Sequence, residues 1–232
     1  MKELRAAIAS YLFMAAAISI QPAAGGETRE NKSEKSAPTL PELRRELLAR
    51  EATDQEVRRK VLDWIKAEKL SFDALADEEH AQEPVVQQWK RVDRENQAWL
   101  KAAVERYGWP GRSLVGVDGA HAAWLLAQHA QHDFQRQCLR QMKECPAGEV
   151  AKIDLAYLAD RVLLAEGKPR LYGTQIEVRD GRWQPRQVED PENLDRRRQE
   201  IGLPPIAQYL KDAEEAYGPA GQSAAENKSG NR

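Results

Sequence analysis

The sequence predicts a mainly α protein, a single helical domain carrying one small β-hairpin. Three observations lead there. Apolar residues recur at helical spacing through most of residues 39–217. Glycine and proline mark most of the ends of those stretches. Only one pair of short segments, residues 171–178 and 182–188, flanks a strong hairpin dipeptide, Asp180-Gly181.

The two ends stand apart from that pattern. Lys2 and Arg5 precede an apolar run over residues 6–20, and Ala23-Ala24-Gly25 offers small residues for cleavage. Residues 1–25 are therefore expected to be a secretory signal peptide, removed on export to the periplasm or beyond. The run is too short for a stable membrane anchor, and no cysteine follows it to carry a lipid. Residues 26–38 are polar and charged without apolar period, which reads as a disordered linker, and residues 218–232 as a disordered tail. One α-rich domain remains over residues 39–217.

Charged residues make up 31% of the chain and the formal net charge is -2, so no strong field draws it to nucleic acid or to a membrane surface. The run Arg196-Arg197-Arg198 lies between acidic residues and reads as a solvated helix face. The expected partner is a small polar ligand of unknown identity. Oligomeric state is not legible.

Taken in order, Thr39-x-x-Glu42 is a capping box with Pro41 suited to a first helical turn, and Leu43, Leu47 and Leu48 form an apolar stripe. Thr53-x-x-Glu56 is a second capping box before Val57, Val61, Leu62 and Ile65, so one long helix or two both fit. Residues 71–83 connect weakly to a helix opened by Pro84 and ended by Gly108, after which Trp109-Pro110-Gly111 turns the chain. The longest unbroken helical pattern follows over residues 118–142, capped by Asp118. A helix over residues 149–166 stops at Gly167, then comes the hairpin. Asp190-Pro191 starts a further helix closed by Gly202, and Pro204-Pro205 a last one through Tyr217.

The 118–142 helix organises the functional reading. At about 100° per residue, Ala123, Ala127, Ala130 and Phe134 share one face, while His121, Gln128 and His132 lie opposite with His129 beside them. The Ala/Phe face is an apolar seam that could serve a partner helix, and the His/Gln stripe is either solvated or lines a cleft. His129, His132 and Asp133 are of ligand type for a metal, but no fixed third ligand is evident and the pattern is not H-E-x-x-H, so no metal or cofactor is expected. Asp160-Arg161 is a second polar cluster, a structural ion pair or a ligand clamp whose guanidinium fork suits a carboxylate or phosphate. Tyr172-Gly173-Thr174-Gln175 is a third, with close backbone approach at the glycine and donors and acceptors around it. Cys138 and Cys145 either pair or stay separate. Seven helical residues rise ~10.5 Å, beyond disulfide reach, so the pairing expected after export requires the helix to end before Cys145.

Several strings together resemble a bacterial domain-of-unknown-function family (DUF6624). They are Asp54-Gln55-x-x-Arg58, Asp93-x-x-Asn96, Gly108-Trp109-Pro110-Gly111, Gln128-His129-Ala130, Asp160-Arg161-x-Leu163 and Tyr172-Gly173-Thr174-Gln175, and their order runs over about residues 40–216. The resemblance implies domain boundaries and candidate residues but no activity, and Gln131 stands where the family pattern has Asp.

No serine-elbow, phosphate-loop, dinucleotide or C-x-x-C signature occurs. The leading expectation is a binding module in which Gln128, His129, Arg161, Tyr172, Thr174 and Gln175 recognise a small polar or anionic ligand. The runner-up is a metal-independent hydrolase with His129 as general base oriented by Asp160. A helical interaction module using the Ala/Phe seam is the third.

Overall fold

The fold is built outward from its first helix, α1, which runs Pro41–Ala67 without interruption. In the computed structural model, residues 40–70, 74–75 and 77–218 are described. The expected signal peptide, the linker and all but the first residue of the tail lie outside the described residues. Thr53 does not cap a second helix, because its hydroxyl donates back to the Ala49 carbonyl at 3.0 Å and the helix continues. Positions 43, 47, 54, 58, 61 and 65 of α1 are all buried and recur at helical spacing on one face. That face is apolar at both ends and charged at Asp54 and Arg58 in its middle.

A single-turn helix, α2 (Glu78–Ala81), leads into α3 (Pro84–Tyr107), which Gly108 ends with φ 75°. Leu43 and Leu47 from the start of α1 share a core cluster with Leu100, Ala103 and Val104 from the end of α3. Val57, Val61 and Ile65 from the end of α1 share another with Val86, Trp89 and Val92 from the start of α3. The two helices are therefore antiparallel and their apolar contacts form two separate clusters.

α4 (Arg112–Gln128) starts earlier than Asp118. Its first backbone N–H groups are served from far along the chain: Ser113 N and Oγ each donate to Glu149 Oε2 at 3.0 Å, and Arg112 N donates to the Glu149 carbonyl. Gly111 leaves room for that contact, since a Cβ there would lie 2.3 Å from Glu149 Oε2 and push the carboxylate aside. Gly116, at φ 77°, kinks α4 one turn in, and Asp118 sits just after the kink, bound to Arg44 and accepting from the Gly119 N–H at 2.8 Å.

The predicted helix over residues 118–142 is in fact two. α4 ends at Gln128, and α5 (His132–Glu144) begins after an extended Gln131 at φ -67°, ψ 152°. Neither glycine nor proline marks this break. Polar contacts from other elements make it: Gln131 N donates to Gln97 Oε1 on α3 at 2.6 Å, and Gln135 Nε2 satisfies the Gln128 carbonyl at 2.8 Å. The Ala/Phe seam is covered by the domain itself, with Ala123, Ala127, Ala130 and Phe134 all in the main core.

α5 continues through Glu144, so Cys138 and Cys145 stay at helical separation and are free thiols, against the expected pairing. The Cys145 thiol instead donates to the Gln141 carbonyl. α6 (Lys152–Ala165) packs on α4 and α5 and stops at Gly167. β1 (Ile176–Arg179) and β2 (Arg182–Pro185) form the predicted hairpin, antiparallel with Val178 opposite Trp183. Asp180 and Gly181 both have positive φ, 53° and 70°, as a two-residue turn of the right twist needs. Both strands are shorter than the predicted segments, because residues 171–175 are held by side chains from outside the hairpin. A 3-10 turn (Pro191–Asn193), α7 (Leu194–Glu200) and α8 (Ile206–Tyr217) complete the domain. No described helix is long and apolar enough to cross a membrane.

Candidate functional site

Between the two apolar clusters lies a layer of charged side chains. α1 supplies Asp54 and Arg58, four residues apart on its inward face and each 0% exposed. α3 supplies Asp93 and Asn96, and the break after α4 supplies His129 at 3% exposure. Burying charges is costly unless they are paired, and these are.

His129 Nδ1 is 2.9 Å from Asp54 Oδ1. Arg58 Nε donates to Asp54 Oδ2 at 3.1 Å, and Arg58 Nη2 reaches Asp54 Oδ1 at 3.3 Å and Asp93 Oδ1 at 2.6 Å. Its guanidinium also lies over the Trp89 ring, 5.7 Å from the centroid. Arg58 Nε is within 3.1 Å of His129 Nδ1 as well. One nitrogen cannot both donate to Asp54 and accept from Arg58. Asp54 is the ionised partner, so Nδ1 carries the proton and Nε2 the lone pair.

The titration of the layer follows from that geometry. Burial alone would raise the Asp54 carboxyl, but the charges and hydrogen bonds of His129 and Arg58 hold it well below the usual carboxylate range. Burial, then the Arg58 charge, pushes His129 down to about 4, so it is neutral at physiological pH. Burial pushes Asp93 the other way, up to about 7, against the pull of Arg58. Arg161 on α6 is buried, and its charge is felt at both His129 and Asp93. His129 Nε2 is buried with no hydrogen-bond partner among the described residues, and so is Asn96 Nδ2.

The other sequence-derived candidates divide. Arg161 joins His129 in this layer. Asp160 does not orient His129, a role that falls to Asp54. Its carboxylate is turned to the following loop, where it accepts from the backbone N–H groups of Leu171, Tyr172 and Thr174 and from the Thr174 hydroxyl, at 2.7 to 3.2 Å. Burial raises this carboxyl and those donors oppose the rise. Gln175 Nε2 donates to Thr174 Oγ1, Tyr209 Oη to the Thr174 carbonyl and the buried Arg198 to the Tyr172 carbonyl. Tyr172, Thr174 and Gln175 thus belong to a second polar cluster around Asp160, away from His129. Gln128 is fully buried, and neither side-chain amide atom has a hydrogen-bond partner among the described residues.

Sequence reasoning singled out Asp54, Arg58 and Asp93 only as parts of family strings and did not place them in the site. The signal was present: a charged pair four apart in the stripe that runs from Leu47 to Val61. His129 and His132 fall on either side of the helix break, and among the described residues no group of three or more His, Cys, Asp or Glu is arranged to hold a metal ion.

A family model described as a family of unknown function, DUF6624, matches residues 41–221. The chain belongs to that family. No curated protein and no solved structure matches it. The DUF6624 match spans every element that builds the layer, from α1 through α6, and the Asp160 cluster beyond it.

Proposed function

We propose that this protein binds a small polar or anionic molecule at the charged layer, seated against His129 Nε2. One observation carries the reading: Nε2 is buried and without a partner among the described residues while Nδ1 is fixed on Asp54. An unpaired buried polar atom costs ~1–3 kcal/mol, which a ligand donating to that lone pair would recover. Arg58 and Arg161 supply the positive charge for an anionic group. A thermal-shift screen of small carboxylates, phosphates and hydroxy compounds tests this on the parent and on His129→Asn. Asn keeps a donor for Asp54 and removes Nε2, so a ligand that stabilises the parent should lose its effect in the variant. No ligand shifting the parent, or equal shifts in both, would defeat the reading.

A second reading is a hydrolase-type enzyme with His129 as general base, favoured by the Asp54 hydrogen bond that fixes its tautomer. Turnover of a screened compound that is abolished in His129→Asn would select it over simple binding. Export is part of both readings and is supported by the charged start, short apolar run and small residues near position 25. Mass spectrometry of the protein recovered from its native compartment tests it, since a chain still beginning at Met1 would remove export.

A further inference from the structure

We propose that the layer around His129 takes a neutral primary carboxamide, held by Gln128, His129 and Asn96 and matched to their hydrogen-bonding atoms one for one. This rests on the reading that the layer binds a ligand at His129 Nε2, and it names the ligand's functional group.

Three residues beside the break between α4 and α5, each between 0% and 5% exposed, carry polar atoms without a hydrogen-bond partner among the described residues. The atoms are His129 Nε2, Gln128 Oε1 and Nε2, and Asn96 Nδ2. Helix register brings them to one level. α4 and α6 run parallel at an offset of 33 residues where His121 meets Asp154. The same offset joins the Trp124 and Tyr157 rings. One turn beyond Trp124 it sets Gln128 opposite Arg161, whose charge is felt at the next residue, His129. From the other side, Asn96 Oδ1 accepts from Arg50 Nη1 at 3.2 Å, one turn of α1 before the Asp54 that holds His129. Gln97, next to Asn96, accepts the Gln131 N–H. The end of α4 and the middle of α3 therefore face each other across the layer, which reaches water at the 17% exposed side chain of Asp93.

The kinds of atom left over select the ligand. With Nδ1 giving its proton to Asp54, His129 Nε2 is an acceptor, and so is Gln128 Oε1. Gln128 Nε2 and Asn96 Nδ2 are donors. A ligand that satisfies all four gives two hydrogens and accepts two. A primary carboxamide does so with its two terminal atoms. Its nitrogen gives one hydrogen to Gln128 Oε1 and the other to His129 Nε2. Its oxygen accepts from Gln128 Nε2 with one lone pair and from Asn96 Nδ2 with the other. A carboxylate of the same shape has no hydrogen for either acceptor, and neither has a tertiary amide. The ligand needs no charge, because Arg58 is already bonded to both Asp54 and Asp93.

The experiment titrates the full chain with acetamide, N,N-dimethylacetamide, acetate and glycerol, and follows the His129 ring nitrogens by NMR. Acetamide should shift the Nε2 signal saturably and bind at least about tenfold more tightly than the other three, since each of them leaves a buried group unmatched. Gln128→Met removes the carboxamide at similar length and should weaken acetamide binding by about tenfold or more. Asn96→Asp keeps the acceptor for Arg50, removes the donor and should weaken it as well. Equal affinity for acetamide and N,N-dimethylacetamide, or tighter binding of acetate or glycerol, would overturn the carboxamide assignment while leaving ligand binding at the layer intact. Unchanged acetamide affinity in both variants would do the same. Silence at His129 with all four compounds also ends the assignment. If the wider ligand screen is silent too, the binding reading falls with it, and the four atoms are met by buried water only. Should neither variant fold, the parent's ranking of the four compounds decides.

Discussion

His129 Nδ1 and Asp54 Oδ1 meet at 2.9 Å across 75 positions of sequence, and that contact ties the end of α4 to the charged middle of α1. Asp54→Ala would strip Arg58 and His129 of their shared partner inside a closed layer. Breaking a buried pair from one side costs ~3–5 kcal/mol, a large share of a domain's ~5–15 kcal/mol. Urea denaturation should show that loss, and a smaller one for Asp54→Asn.

His129 contributes a loss of stability on acidification. Its folded value is depressed to about 4 from 6.5, so the native state resists protonation. A depressed value contributes stability that is present above the unfolded value and lost as pH falls through the folded one. The His129 contribution is therefore lost between about pH 6.5 and 4, while Asp93, raised to about 7, acts with the opposite sign over much of the same range, so the effect is read as the difference between the melting curves of the parent and His129→Asn, which should narrow as pH falls. His121 acts with the opposite sign. Its hydrogen bond to Asp154 raises it, so its contribution is present below its unfolded value and fades as pH rises through the folded one.

Asp160→Ala should release the 170–175 loop. The substitution leaves three backbone N–H groups and the Thr174 hydroxyl without their acceptor. Each unsatisfied group costs ~1–3 kcal/mol, so a loss of roughly 3 kcal/mol or more is expected in denaturant titration. New proteolytic cleavage within the loop is the local sign, and an unchanged melting profile would contradict it.

Gly111→Ala should cost about 1 kcal/mol, the worth of a helix cap, because a Cβ at that position displaces the Glu149 carboxylate from Ser113. Glu149→Ala should cost a similar amount. The double variant should lose little more than either single one, since both remove the same cap.

Two thiols should titrate in the denatured protein. In the native protein Cys145 should react well before Cys138, which is fully buried and whose thiol burial pushes up to about 12. A single mass consistent with a bridge would refute the free-thiol arrangement.

Local chemistry was legible in the sequence wherever it acted alone. Asp180-Gly181 marks its turn because the dipeptide itself tolerates positive φ, and Gly108, Gly167 and Gly202 mark helix ends for the same reason. The break at Gln131 was not legible, since Gln97 and Gln135, both off the break itself, hold the chain there. The site shows the same contrast. His129 and Arg161 stand out by residue type, whereas Asp54 and Arg58 look like an ordinary surface pair until the stripe is followed through them. The assignment of Asp160 to His129 failed because nearness of two helices says nothing about which way a short carboxylate turns.

The split apolar core has a consequence for how the molecule opens. The smaller cluster, Val57, Val61, Ile65, Leu75, Val86, Trp89 and Val92, draws its buried members from α1, α3 and the segment between them. With so few apolar neighbours it forms the weaker cooperative unit. Amide hydrogens there should exchange at lower free energy than those of residues 120–127. Separating that end of α1 from α3 parts Arg58 from Asp93, so breathing of the minor unit and admission of solvent to the charged layer are one motion.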